Sequence, residues 1–284
     1  VDAPEWAFRV DRVARARRLV VERVLETDSS VLAFVCRDGQ SLVFKLAKRQ
    51  GDEWKAGDVL AAFNGRGAVR VYEHGEGATL MERATPGHSL AAMAVNGADD
   101  EATAILAATI ETMTPGALLN GVPTVEDWGW GFDRYVASRS TQIPSALLSK
   151  AQSLYRQLCR SQRSVRLLHG DLHHDNVLFD QERGWLAIDP KGVVGEVEYE
   201  TGAALRNPVE HPELFADPVV IQRRVDRFCD ALGLRTDRVL AWAFAQAVLS
   251  AVWAIEDDTA KPTVHSSLHL AEALVRKIDH VLEY

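Results

Sequence analysis

Residues 167–192 constrain the chain most tightly. "LLHGDLHHDNVLF" (167–179) crowds three histidines, two aspartates and an asparagine between two apolar patches, and "GWLAIDPKG" (184–192) follows closely. Val165–Leu168 reads as a strand running into the polar loop. Gly184 begins a turn, and the apolar run after it ends at Asp189. Any fold that accommodates both must set two strand ends side by side, each ending in oxygen-bearing side chains. Three readings are open: a metal cage, a catalytic loop, or a solvated turn without chemistry.

His169 and His173 are four apart, the spacing that aligns two imidazoles on a helix for zinc. Gly170 between them and the strand leading in oppose such a helix. A loop for phosphoryl transfer needs a carboxylate to take the proton of the attacking hydroxyl, and an amide oxygen nearby to hold a cation. Asp171 and Asn176 stand five apart, the D-x-x-x-x-N separation of kinase catalytic loops. Asp189 would bring a second oxygen ligand to the same hard cation, bridging nucleotide phosphates.

The region before residue 80 reads mostly as strands. Two β-rich runs in 29–48 are split by Arg37-Asp38-Gly39-Gln40, a hairpin signal. Residues 51–65 read as a helix with Glu53, Ala56 and Leu60 on one face, ended by Asn64-Gly65. Two short strands with turns at His74–Gly77 and Thr85–Gly87 follow. Lys45 lies inside the apolar run "LVFKLA", where a cation has no packing use, and would contact nucleotide phosphates. Glu53 fits as its acidic partner, with Asp58 as a shorter-armed alternative. "TLMERATPG" (79–87) reads as strand and hinge, adenine bonding the Glu82 carbonyl and the Ala84 N–H.

Beyond Pro86 helical spacing dominates, at 89–113, at 143–162 and from about 218 onward, around a β-rich island at 165–189. "DWGWGFDRY" (127–135) reads as a loop carrying two tryptophans. The expected organisation is α+β and bilobal: residues 1–85 form a small antiparallel nucleotide-binding lobe with one helix, and residues 86–284 a larger, mainly helical lobe with the catalytic loop and substrate site.

The 284 residues, 47% apolar and 25% charged, suffice for two packed lobes. No apolar run reaches the length of a membrane span, and no secretory signal is read at the start. A net charge of −8 opposes a nucleic-acid partner, which wants a basic face. Cys36, Cys159 and Cys229 are scattered and odd in number, which fits a reducing compartment. The expectation is a cytoplasmic monomer acting on a small molecule.

"HGDLHHDN" and "IDP" resemble the signature loops of the aminoglycoside phosphotransferases, which share the protein-kinase-like fold. "GRGAVRVYE" (65–73), "GWLAIDPKGVVGE" (184–196) and "LSAVWAIED" (249–257) are similar to the streptomycin 6-phosphotransferase and hydroxyurea phosphotransferase branch. The resemblance spans about residues 25–284 and implies ATP and Mg²⁺ as cofactors. It implies Asp171 as catalytic base, Asn176 and Asp189 as Mg²⁺ ligands, Lys45 with Glu53 as the phosphate-binding pair, and residues 82–84 as the adenine hinge. Ser29 and Ser30 sit where the phosphate loop should be. Glu200 stands where related enzymes often place an aspartate. Lys191 would add charge beside the metal aspartate. A polycationic acceptor such as streptomycin, phosphorylated at its 6-hydroxyl, calls for carboxylates. The candidates are Glu196, Glu198, Glu256, Asp257 and Asp258, with His173 and His174 flanking the base. Hydroxyurea or another sugar or metabolite is the rival acceptor, and a non-catalytic nucleotide-binding module or a zinc hydrolase the rival function.

Overall fold

The β-rich runs of the first third pair into one antiparallel sheet, ordered β1-β2-β3-β5-β4. Its strands are β1 (Val20–Glu26), β2 (Ser30–Arg37), β3 (Gln40–Ala47), β4 (Val71–Gly75) and β5 (Ala78–Glu82). This computed structural model describes residues 5–113, 118–257 and 261–281. Asp38 and Gly39, at φ 52° and 81°, turn β2 into β3, and Glu76 and Gly77, at 49° and 72°, turn β4 into β5. Left-handed pairs of this kind match the twist of a hairpin. Lys45 stands in register with Leu32 and Thr79, mid-sheet.

Alternation along β2 sends Val31, Ala33 and Val35 to one face. There they pack with Leu42, Phe44, Leu46 and Leu80 under Val10 and Ala14 of α1 (Glu5–Ala16). The sequence reading missed α1 and β1, so this lobe has two helices rather than one. The second, α2 (Ala56–Phe63), ends as expected at Asn64, which adopts a left-handed φ of 52°. Val59, Leu60 and Phe63 of α2 join the core of the helical region rather than the α1 side of the sheet. Residues 67–69 then pair with the chain at Ala187.

From Pro86 the chain builds a second, mostly helical body. A three-stranded sheet joins β6 (Pro86–Ser89), β8 (Val177–Asp180) and β9 (Gly184–Ala187), and a ribbon joins β7 (Arg166–Leu168) to β10 (Val193–Gly195). Helices α3 (Leu90–Met93) and α4 (Asp99–Thr112) are separated by a kink at Gly97, φ 94°. The expected tryptophan loop is instead α5 (Val125–Ser138). A reciprocal cap between Thr124 and Asp127 starts it, which outweighs the low helix propensity of Gly129 and Gly131.

Next come α6 (Ser145–Arg160), α7 (Val197–Leu205), α8 (Pro212–Phe215), α9 (Pro218–Leu232), α10 (Thr236–Glu256) and α11 (Lys261–Val281). The centre of this body is α10, which is buried nearly all round. By length and composition alone it is apolar enough to cross a bilayer, but 78% of its most apolar window is buried inside the protein. Tyr155, Tyr199 and Trp242 meet edge-to-face beside it, with centroids 5.1–6.3 Å apart.

Candidate active site

The loop between β7 and β8 and the loop after β9 lie against each other. His169 fixes that contact: its Nε2 lies 2.8 Å from the Ile188 carbonyl, while Ile188 N–H donates to the Asn176 carbonyl at 2.9 Å. Burial holds the His169 imidazole down at about 4, so it stays neutral. Glu200 of α7 braces the loop from below, accepting from the backbone N–H of His169 (2.7 Å) and Gly170 (2.9 Å). Gly170 has φ 82°, and a Cβ there would stand 2.8 Å from the Trp128 ring, so only glycine fits this turn.

Asp171 is held by three groups. Asn176 Nδ2 donates to its carbonyl at 2.9 Å, which leaves the Asn176 Oδ1 end for a cation. Lys191 Nζ lies 3.5 Å from Asp171 Oδ2 and Arg206 Nη2 3.4 Å from Oδ1. Burial alone would raise the Asp171 carboxyl; Lys191, then His173 and Arg206, hold it well below the usual carboxylate range. Asp189 follows β9 in a left-handed conformation, φ 59°. An aspartate tolerates that region, but a strained backbone of this kind concentrates where a side chain must be aimed.

Lys45 reaches across from the sheet to pair with Asp189, and its Nζ lies 2.8 Å from Glu53 Oε2. Burial opposes the charge, yet Asp189 and Glu53 together raise the Lys45 pKa. Glu53 sits in a 3₁₀ turn (Asp52–Lys55) ahead of α2, not on the helix face expected. The alternative, Asp58, is taken by His74 at 2.7 Å. A cavity of about 230 Å³ opens beside this cluster, lined by Thr27, Ser29, Ser30, Leu32, Lys45, Met81 and Asp189 among others. Ser30 is tied to Thr27, whose Oγ1 takes its N–H, and the Ser29 side chain hydrogen-bonds the Glu53 carboxylate. Glu82 and Ala84 adjoin the cavity through Met81 without lining it, and the Glu82 carboxylate pairs with Arg183.

Among the described residues the expected acceptor carboxylates are not brought to the loop. Glu196 is buried and bonded to Arg238 and Trp242, because a carboxylate in that core needs a cation. Burial raises the Glu198 carboxyl in the first turn of α7. Glu256, at the end of α10, is held by Arg134 at 3.0–3.1 Å. Asp257 follows it on the surface, and Asp258 lies outside the described residues. His174 points into the core, where burial holds it neutral at about 3. His173 turns back on its own loop, 3.2 Å from Asn176 Nδ2. Among the described residues no three histidine, cysteine or acidic side chains cluster as metal ligands.

The sequence reading missed Arg206. Its one available signal was a cation ending the apolar run "GAAL", just before Asn207-Pro208.

Glu200 gives this site a pH signature. Burial raises its carboxyl to about 7 despite the two N–H bonds. A raised folded-state pKa means stability is fully present below the unfolded carboxylate value and is lost as pH rises through about 7. Glu200→Gln cannot ionise. Between pH 5 and 8 the wild type should therefore lose about 2–3 kcal/mol relative to this variant in urea unfolding. Parallel stability curves for the two proteins would contradict it.

A small strand lobe and a helical lobe, joined where a lysine of one meets an aspartate of the other, are the build of a protein-kinase-like phosphotransferase. Solved structures agree on the fold. An aminoglycoside phosphotransferase solved with ADP and hygromycin B superposes with a TM-score of 0.67 at 14% identity, over 93% of this chain and 97% of that one. Residues 17–258 match the profile of the aminoglycoside/hydroxyurea antibiotic resistance kinases, and the chain belongs to that family. A streptomycin 3''-kinase from Klebsiella pneumoniae is 36% identical over 86% of this chain and 91% of its own length. A streptomycin 6-kinase from Streptomyces griseus is 30% identical over 87% and 81%.

Proposed function

We propose that the protein transfers the γ-phosphoryl group of ATP to a hydroxyl of streptomycin, at position 6, and so confers resistance to it. What supports this most is the meeting of Lys45, Glu53 and Asp189 across the lobes, one loop away from Asp171 and Asn176. Lys45 would hold the α- and β-phosphates, and the backbone of 82–84 the adenine, with the lobes divided near residue 85. Asn176 Oδ1 and the Asp189 carboxylate are hard oxygen donors. They suit Mg²⁺, which takes one or two protein ligands and completes its shell with phosphates and water. When bound it would neutralise charge on the β- and γ-phosphates.

Asp171 would orient the acceptor hydroxyl and take its proton as the oxygen bonds to the γ-phosphorus and the bond to the ADP oxygen breaks. A base with so low a pKa accepts the proton only late in the transfer. That suits a loose transition state, in which positioning outweighs proton abstraction. The chemistry fits a cytoplasmic monomer, where ATP is supplied and the three thiols, unpaired in the structure, stay reduced.

A second reading, transfer to hydroxyurea or another sugar or metabolite, is favoured by one observation: among the described residues, Glu196 and Glu256 are held by Arg238 and Arg134 rather than left open to a polycation. An acceptor panel separates the two. With ATP and Mg²⁺, streptomycin should yield ADP and a phospho-ester that NMR locates at the 6-position. A 3''-product would move the regiochemistry, and turnover of hydroxyurea alone would overturn the substrate.

A further inference from the structure

The hairpin of β8 and β9 has the site's oxygen donors at one end and meets residues 82–85 at the other. Asn176 immediately precedes β8 and Asp189 follows β9, while Asp180 pairs with Gly184 at the turn. The hairpin is short, on the order of 10 Å from end to end. Two side chains of its turn hold the chain on either side of residue 84. The buried Asp180 carboxylate accepts the Thr85 N–H at 3.0 Å, and it shapes the turn by accepting from Glu182 N–H (3.0 Å) and Arg183 N–H (2.9 Å). Gln181 N–H donates in return to the Thr85 carbonyl at 2.9 Å. The Arg183 guanidinium binds the Glu82 carboxylate and donates to the Gly65 carbonyl and, at 3.4 Å, to the Ala68 carbonyl. Arg70 N–H donates to the same Glu82 oxygen at 2.8 Å. The Glu82 and Arg183 side chains are 14% and 18% exposed, so salt screens this pair little.

Alternation along β5 explains the arrangement. Thr79 and Met81 face the nucleotide cavity, so Glu82, the next residue, sends its side chain to the opposite face. The carboxylate is gripped from behind, while the backbone adjoins the cavity through Met81. We propose that Arg183 is a positioning residue for the adenine: it fixes the backbone of 82–84 to the hairpin that ends in Asn176 and Asp189. One rigid piece then sets both where the base lies and where the metal lies. The proposal rests on the phosphotransferase reading above, in which 82–84 bond the base. Arg183 does not line the cavity and acts only through Glu82 and the carbonyls it holds. A segment free to shift must be ordered as the base binds; one already held is not, and the difference appears as affinity. The planar fork of an arginine serves a carboxylate and two carbonyls at once, which a single ammonium on a flexible stem does not.

ADP and tripolyphosphate, each with Mg²⁺, separate the base from the phosphates. Tripolyphosphate has no base and should read only the Lys45 and Asp189 end of the site. In calorimetric titrations Arg183→Met should weaken ADP about tenfold and tripolyphosphate less than about twofold. Arg183→Lys keeps a charge for Glu82 and should weaken ADP about threefold. In steady-state kinetics the KM for ATP should rise in step with the ADP Kd, while the KM for streptomycin stays within about twofold. A merely structural defect would move both ligands together. Equal ADP affinity in wild type and variants, or equal weakening of ADP and tripolyphosphate, overturns the proposal. Should Arg183→Met not fold, Arg183→Lys decides by the same comparison. The expected binding pattern without turnover by the wild type counts against the phosphotransferase reading and leaves the placement of the base standing. A wild type that binds neither ligand overturns both.

Discussion

Asp171→Ala is expected to lower kcat about 10³-fold, within the roughly 10²–10⁴ that a positioned general base supplies. The KM for ATP should change by less than about threefold, because in the proposed reaction the carboxylate acts on the acceptor hydroxyl and not on the nucleotide. Asp171→Asn keeps the shape and should lose nearly as much. Arg206 then reports whether the carboxylate is positioned from behind. It lies 3.4 Å from Asp171 Oδ1 and donates to Gln246 Oε1 at 2.6 Å, so it is anchored at both ends. Arg206→Gln alone should cost activity, and the loss should vanish when it is added to Asp171→Asn. Steady-state kinetics of the four proteins decide it. Additive losses would mean that Arg206 acts elsewhere, and a tenfold rise in the ATP KM of Asp171→Ala would move Asp171 to the nucleotide.

Asp99→Ala should cause the largest loss of stability, about 3–5 kcal/mol, because it strands a buried charge. Arg224 is 1% exposed and Asp99 5%. The guanidinium binds that carboxylate, with Nε at 3.1 Å, and also the carbonyls of Ala204 (3.1 Å) and Asn207 (2.8 Å). A whole domain holds only about 5–15 kcal/mol in reserve, so the single variant should unfold at much lower urea. Those two carbonyls flank Arg206, so activity should fall before the fold does. Replacing both partners, Asp99→Leu with Arg224→Met, should cost less than Asp99→Ala alone, since no buried charge is left unpaired; Arg223, which also binds Asp99, is 44% exposed. A urea midpoint for Asp99→Ala equal to the wild type would show that water reaches the pair.

The local parts of the site were legible because their signals are local. The spacing of Asp171 and Asn176, the strand that delivers Asp189, and a lysine inside an apolar strand all lie within short windows. The two left-handed hairpin turns were equally plain. What failed depended on distant partners. Glu196 reads in sequence as an acceptor carboxylate, and the partner that binds it instead, Arg238, lies 42 residues on. Nothing near His174 in sequence reveals that it faces the core. The α5 segment looked like a loop from its alternating tryptophans and glycines, although its cap at Thr124 was readable. Trp54 and Trp128 line one cavity together with residues 121–123, which lie against the turn that carries Glu53, Lys55 Nζ donating to the Gly121 carbonyl.

The packing of α2 has a consequence for how the chain could be divided. Val59, Leu60 and Phe63 fill the interior of the helical body, and residues 67–69 add to β9. A fragment ending at residue 85 would present that helix face to water and leave the strand-like segment after it unpaired. The proposed division of the lobes near residue 85 and the place where the chain could be cut into self-supporting pieces are therefore different. The first 85 residues would supply half of the proposed site without being an autonomous folding unit.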